Sequence, residues 1–224
     1  MQNARAGDER AERALAEICE AYWFPLYVFV RRAGYAAADA EDLTQSFFAK
    51  LIEKGYLQQA DRERGRLRSF LLTSLKHFLA DEWDKSQALK RGGGKTFVAI
   101  DQDAAEERYA LEPADEASPE RLFEKRWALT LLENIVAELR EEFVASGKSE
   151  LFDGLQPFLA WNSAEESYRE VAGRLGVSEN SARVTVFRMR KRYGELMRRH
   201  IAETVNSEEE VEEEMQFLMG VIAH

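Results

Sequence analysis

Apolar positions recur along this chain at helical spacing, in blocks separated by short polar or glycine-rich stretches. The first block, about 9–34, predicts a helix that is broken or kinked near Pro25. A second helix is predicted over about 38–54. Asp39, Glu41 and Asp42 lie in its first turn, Leu43, Phe47 and Leu51 form its stripe, and Gly55 follows its end. After a polar turn over 58–66, a long helix is predicted over about 67–90. On it Leu71, Leu72, Leu75, Phe78, Leu79 and Trp83 share the arc expected to be core. Ser69, Thr73, Lys76, His77, Ala80, Asp84 and Gln87 share the opposite, polar arc.

Arg91-Gly92-Gly93-Gly94 ends that helix and opens a linker to about Ser118, rich in acids and carrying Pro113. Within it Thr96-Phe97-Val98-Ala99-Ile100 fits a short extended segment. Helix restarts with Ser118 as N-cap and Pro119 in the first turn, and Leu122, Leu129, Leu132, Val136, Leu139 and Phe143 form its expected core stripe. A shorter helix is predicted over about 149–161. At the far end Val211, Met215, Leu218 and Ile222 share one helical face behind the acidic run 208–214. That helix either docks on the protein's own basic surface or, as preferred here, completes the second domain.

Residues 168–197 carry the most specific local pattern. Val171, Ala172 and Leu175 mark the buried face of a short helix, and the small Ala172 lets a second helix cross close by. Gly176 suits a turn with positive φ, Val177 plugs the core, and Ser178 caps the next helix. Ser163 and Glu166 are spaced to cap the turn before this unit. At about 100° per residue, Ala182, Val186, Met189, Tyr193 and Leu196 point inward. Asn180, Ser181, Val184, Arg188, Lys191 and Arg192 point outward. An outward arc of this kind suits a recognition helix, because arginine reads guanine, asparagine reads adenine and valine meets a thymine methyl. Arg183 and Arg190 flank it and suit phosphates. The plainer alternative is a solvated basic helix closing a bundle.

Charge sharpens this picture. The 224 residues carry a net charge of −10, yet 168–200 holds nine Lys/Arg against three Glu, and 61–91 holds eight against five acids. Two basic islands on an acidic chain point to local phosphate contact, although solvated helix faces would look similar. The single Cys19 excludes an internal disulfide, and His77, His200 and His224 are scattered, so no metal or other cofactor is expected. No apolar run reaches the roughly 20 residues of a membrane span and no signal-peptide core is seen, so a cytoplasmic protein without membrane insertion is expected. With only four prolines, long stretches lack helix breakers. The expected fold is all-α: two small helical domains joined by a flexible linker, the C-terminal one containing a helix-turn-helix. Expected boundaries are 1–91, a linker over 92–118, a second domain over 119–204 and an acidic amphipathic tail over 205–224.

Asp39-Ala40-Glu41-Asp42-Leu43-Thr44-Gln45, followed by Phe48 and Leu51, resembles the signature of conserved region two in bacterial sigma factors. About fifteen residues on, Arg66-Leu67-Arg68-Ser69-Phe70-Leu71-Leu72 resembles the start of the promoter-reading helix, and the helix-turn-helix lies where region four would be. Two helical domains without regions one and three resemble the extracytoplasmic-function group, over roughly residues 15–201. The resemblance implies that Asp39, Glu41, Asp42, Leu43, Gln45 and Phe48 dock on the β′ clamp helices of core RNA polymerase. Read from the residues alone, the acids complement a helix dipole, and Leu43 and Phe48 are core, interface or both.

The resemblance further implies minus-ten contacts from Arg62, Arg64, Arg66, Arg68, Ser69, Thr73, Lys76 and His77, the turn over 61–66 capturing a flipped base. Minus-thirty-five contacts would come from Ser178, Asn180, Ser181, Arg183, Val184, Arg188, Lys191 and Arg192. The implied partners are core polymerase (β′ clamp helices and β flap), promoter DNA and an anti-sigma factor. Two departures stand out. No aromatic cluster for melting is apparent on the polar arc, and Val184-Thr185 replaces the polar-basic pair often found in region four, leaving the promoter sequence open.

Gly92-Gly93-Gly94-Lys95-Thr96 is not a phosphate-binding loop, because the required earlier glycine is Leu89 and no strand precedes it. No nucleophile–base constellation is apparent, so no enzyme is expected. The rival readings are a stand-alone helix-turn-helix regulator that never recruits polymerase, and a protein whose helical faces meet only other proteins.

Overall fold

The computed structural model describes residues 18–53, 66–89, 105, 106, 108, 109, 118–159 and 166–223, and among these the chain is all-helical with no strand. In order the helices are α1 (18–32), α2 (Ala37–Glu53), α3 (Leu67–Leu89), α4 (Pro119–Ala145), α5 (Ser149–Leu155), α6 (Tyr168–Arg174), α7 (Glu179–Ala202) and α8 (Glu208–Ala223). A 3-10 turn over Gln156–Phe158 ends α5 earlier than its apolar pattern predicts, at Pro157. The chain forms two compact units. One comprises residues 1–130 with 204–224, the other 131–203. The division falls inside α4 rather than at the expected 118/119 boundary, and the acidic C-terminal helix belongs to the first unit, not the second.

In the first unit α1 is apolar nearly all round and is buried accordingly, from Tyr22 through Leu26, Tyr27 and Val28 to Val30. Pro25 does not break it. The ring removes one backbone donor, but the surrounding burial keeps the helix continuous. Helix α2 meets α3 through Phe47 and Phe78, whose centroids lie 5.8 Å apart, with the Lys50 ammonium 4.9 Å over the Phe78 ring. Along α3, Leu71, Leu75, Phe78 and Leu79 are buried as their arc predicts, while Leu72 is half-buried. Trp83 is not buried: 57% of it is exposed, its azimuth at about 100° per residue falling close to that of the exposed Lys76.

Part of the expected flexible linker is seated on α1. The Glu106 carboxylate accepts hydrogen bonds from the Tyr27 hydroxyl and from Arg31, at 2.7 and 3.2 Å for the latter. Arg31 also lies 4.7 Å over the Tyr109 ring, and Arg108 lies 4.2 Å over Phe24. Burial alone would raise the Glu106 pKa, but the hydrogen bonds from Tyr27 and Arg31 win and hold it below the ordinary value. The segment 96–100 lies outside the described residues.

Helix α4 starts as its sequence predicts. Ser118 Oγ accepts the Arg121 N–H at 3.3 Å, and Pro119 fills a position whose donor would have no helical partner. Its buried face differs from the expected stripe. Leu122 and Leu139 are buried, but Phe123, Trp127, Ala128 and Ile135 replace Leu129, Leu132, Val136 and Phe143, which are only half-buried. One helix contributing to two cores cannot keep a single apolar face along its length. In the first unit the Trp127 indole donates to Tyr22 Oη at 3.1 Å, and Phe217 of α8 lies 6.3 Å from the Trp127 ring.

The same unit contains a buried ion pair. Arg68 of α3 and Glu214 of α8, with side chains 7% and 1% exposed, meet through two contacts at 2.8 and 3.2 Å. A buried pair contributes little net stability, because desolvation offsets attraction, but removing one partner strands the other charge. Arg68→Ala is therefore expected to cost about 3–5 kcal/mol, whereas the double variant Arg68→Met/Glu214→Leu is expected near wild type. Urea unfolding of the three proteins checks this; equal losses in single and double variants would refute it.

Candidate nucleic-acid interface

The second unit places α6, a turn and α7 in succession, with α6 packed directly against α7. Ser167 caps α6 by accepting the Glu170 N–H, while the Glu170 carboxylate accepts the Ser167 N–H at 2.8 Å. This reciprocal box lies four residues beyond the predicted Ser163–Glu166 pair. Ser163 lies outside the described residues, and Glu166 instead pairs with Arg174 at 2.7 Å. Holding the Ser167 backbone and hydroxyl donors keeps the Glu170 pKa low.

The turn follows the predicted chemistry. Gly176 has φ +66°, a conformation costly for any residue with a Cβ. Val177 N–H then returns to the Ala172 carbonyl at 3.0 Å, and the Ser178 hydroxyl accepts the Ser181 N–H at 3.1 Å to start α7. Val177 itself is only half-buried. Beneath the turn, Leu175 meets α5 at Gly154, where a Cβ would stand 2.9 Å from Leu175 Cδ1.

Helix α7 buries Ala182, Val186, Met189 and Leu196 on one side, with Tyr193 half-buried and its hydroxyl pKa raised to about 12 by burial. On the other side Ser178, Asn180, Ser181, Arg183, Val184, Arg188 and Lys191 are all exposed. Phe187 joins them with 69% of its surface exposed. Helical spacing alone does not assign Phe187 to either side, since at about 100° per residue it falls at the edge of the outward arc. A large exposed ring beside exposed Val184 and Arg188 is the signal that could have found it.

The arginines divide into two sets. Arg190 donates to the Phe158 carbonyl at 3.0 and 2.6 Å, so this flanking cation ties α7 to the end of α5. Arg192 meets Glu142 of α4 at 2.6 Å and Glu195 at 3.2 Å, and these carboxylates push its pKa up. Arg183 meets Glu179 at 2.8 Å and lies 4.5 Å over the Tyr168 ring. Arg188 and Lys191 reach outward, Lys191 with only a 3.9 Å contact to Glu195.

In the first unit the residues matched to minus-ten contacts are spread differently. Arg62 and Arg64 lie outside the described residues. Ser69, Thr73, Lys76 and His77 are exposed along α3, Lys76 meeting Glu120 at 2.7 Å. Trp83 lies seven residues beyond Lys76, about two helical turns on, and so adds an exposed aromatic close to this arc. Arg66 and Arg68 face the C-terminal helix: Arg66 meets Glu213 at 2.5 Å and Glu214 at 3.1 Å, and Arg68 is buried against Glu214. Arg68 is therefore not an open DNA contact in this structure.

Of the residues matched to polymerase docking, Asp39 and Asp42 are exposed and Leu43 and Gln45 half-buried. Glu41 and Phe48 are buried, with Gln45 Nε2 donating to Glu41 at 3.1 Å. The surface available there is thus the Asp39–Asp42 end of α2.

Among the described residues no group of side chains is arranged to hold a metal ion, and no helix is long and apolar enough to cross a membrane. No protein-family model, curated protein or solved structure matches this chain.

The C-terminal half of α7 is held to α4 by a second electrostatic tie. Glu138 accepts from Arg199 and, at 2.8 Å, from His200. Burial would raise the Glu138 pKa, but the hydrogen bonds from Arg199 and His200 outweigh it and hold it below the usual carboxylate value. A carboxylate with a depressed folded pKa contributes stability above its unfolded value of about 4.3, lost as pH falls through the folded value. The stability gap between wild type and Glu138→Gln is expected to shrink as pH drops from about 7 to about 3. Urea midpoints across that range check it; a constant gap would show that the tie carries no linked charge.

Proposed function

We propose that this chain is a promoter-specificity subunit of bacterial RNA polymerase, of the extracytoplasmic-function sigma type. In this reading α6, the Gly176 turn and α7 form a DNA-reading helix-turn-helix. The observation that carries the reading is the outward face of α7. It presents Asn180, Ser181, Val184, Phe187, Arg188 and Lys191 together, opposite a buried face, behind a capped positive-φ turn. A helix with that face fits the major groove, arginine and asparagine reading purine edges while valine and phenylalanine meet thymine methyl groups. Arg190 and Arg192, spent on the Phe158 carbonyl and Glu142, position the helix instead of reading DNA.

The polymerase part rests on the region-two resemblance at 39–51 and on the exposed Asp39 and Asp42 at the start of α2. Promoter melting is assigned to α3, where Ser69, Thr73, Lys76, His77 and the exposed Trp83 offer polar contacts and one stacking surface. The protein acts in the cytoplasm, as an adaptor without chemistry of its own.

Transcription in vitro with sigma-free core polymerase on genomic fragments tests the reading. Transcripts whose start sites share two spaced upstream elements are expected. No transcripts and no co-purification with core would instead favour a stand-alone regulator. On a promoter found this way, Arg188→Ala is expected to weaken duplex binding by about 1–3 kcal/mol and relax one base position. Lys191→Ala is expected to weaken all sequences alike and lower the salt slope by about 1. Fluorescence titrations over a salt series separate the two; identical behaviour of both variants would remove base reading from α7.

A further inference from the structure

The segment opening α3 is engaged by the C-terminal part of the chain through backbone and side chains alike. The Thr204 carbonyl accepts the Leu67 N–H at 3.0 Å. One turn and a half into α8, Glu213 and Glu214 take Arg66, and Glu214 takes Arg68 with two contacts. The Arg68 guanidinium lies 3.9 Å over the Phe217 ring of α8 and 5.1 Å over Trp127. Val211, Glu214 and Leu218 form the buried stripe of α8.

A buried ion pair adds little net stability, and apolar pairs of similar volume often replace one without loss. Packing alone therefore does not account for charges at this contact. Planar guanidinium groups bind carboxylate and phosphate oxygens with the same fork geometry. A nucleic-acid strand and helix α8 therefore compete for the same donors on Arg66 and Arg68. Resting on the promoter reading above, we propose that α8 is an intramolecular acidic occupant of the Arg66–Arg68 cluster. It closes that cluster to the phosphodiester backbone of single-stranded DNA until the helix is displaced. The occupied state is the one seen here, and displacement frees two cations at the start of the helix that meets the melted strand.

The test uses the full chain and a Glu213→Gln/Glu214→Gln variant, in which both side chains keep their size while the carboxylate charge is lost. A fluorescent A/T-rich single-stranded oligonucleotide and a duplex of the same sequence are titrated at low salt. Single-strand affinity is expected to rise about tenfold, as regained phosphate contacts dictate. Adding Arg66→Ala is expected to cancel the gain. Removing two other exposed acids, with Glu53→Gln/Glu209→Gln, is expected to give no more than the small change due to net charge. A folded double variant with unchanged single-strand affinity, or a gain matched by the Glu53/Glu209 control, overturns the proposal. If circular dichroism shows that the double variant does not fold, Glu213→Gln alone replaces it, since that side chain is 64% exposed. A gain of about two- to threefold supports the occupant, and none overturns it. Failure of the wild-type chain to co-purify with core polymerase would count against the promoter reading instead, independently of the single-strand titration.

Discussion

A guanidinium buried to the depth of Arg68 requires a carboxylate beside it, and much of the first unit follows from that requirement. Glu214 is the buried carboxylate that meets it, with Glu124 of α4 contributing at 3.4 Å. Glu214 stands on α8, so the last helix must return to the unit that holds α1, α2 and α3. Once there, α8 brings Val211 and Leu218 into the core and lays Phe217 near Trp127, whose indole is already tied to Tyr22 of α1. A polar contact thus selects which apolar surfaces meet, the specifying role that buried charges can have even when they add little net stability.

The second unit is organised by electrostatics of a different kind. Its ties, Arg192 to Glu142, Arg199 and His200 to Glu138, and Arg190 to the Phe158 carbonyl, are partly exposed. All three hold α7 to α4 or α5 from the same helix that presents the exposed face. Such bonds contribute modestly to stability, but they fix the azimuth of a helix whose use depends on which side faces outward. The cations on α7 are therefore not one pool. Some orient the helix, while Arg188 and Lys191 point outward.

Local order was legible in the sequence wherever neighbours along the chain decide it. The Ser118 and Ser178 caps, the positive φ of Gly176, and the buried arcs of α3 and α7 all follow from residue type and helical period. What escaped was decided by distant partners. Nothing near Glu106 shows that it will meet Tyr27 and Arg31, and nothing near Arg190 shows that its partner is a carbonyl 32 residues away. Trp83 is exposed although helical spacing sets it on the core arc, because at the edge of that arc its azimuth falls close to that of Lys76. The buried face of α4 departed from its heptad-like spacing because the helix serves two cores. At the site, residue types on α7 were readable, but which arginines were already spoken for was not.

The first unit is discontinuous in sequence, closed by a segment that follows the whole of the second. During synthesis from the N-terminus, residues 131–203 are therefore complete and able to fold before the first unit has received its last helix. Until α8 emerges from the ribosome, Arg68 has neither Glu214 nor Phe217, and the apolar surface around Trp127 and Tyr22 waits uncovered. The nascent chain thus passes through an interval in which its second unit is complete and its first is not, and disruption of α8 perturbs the first unit before the second.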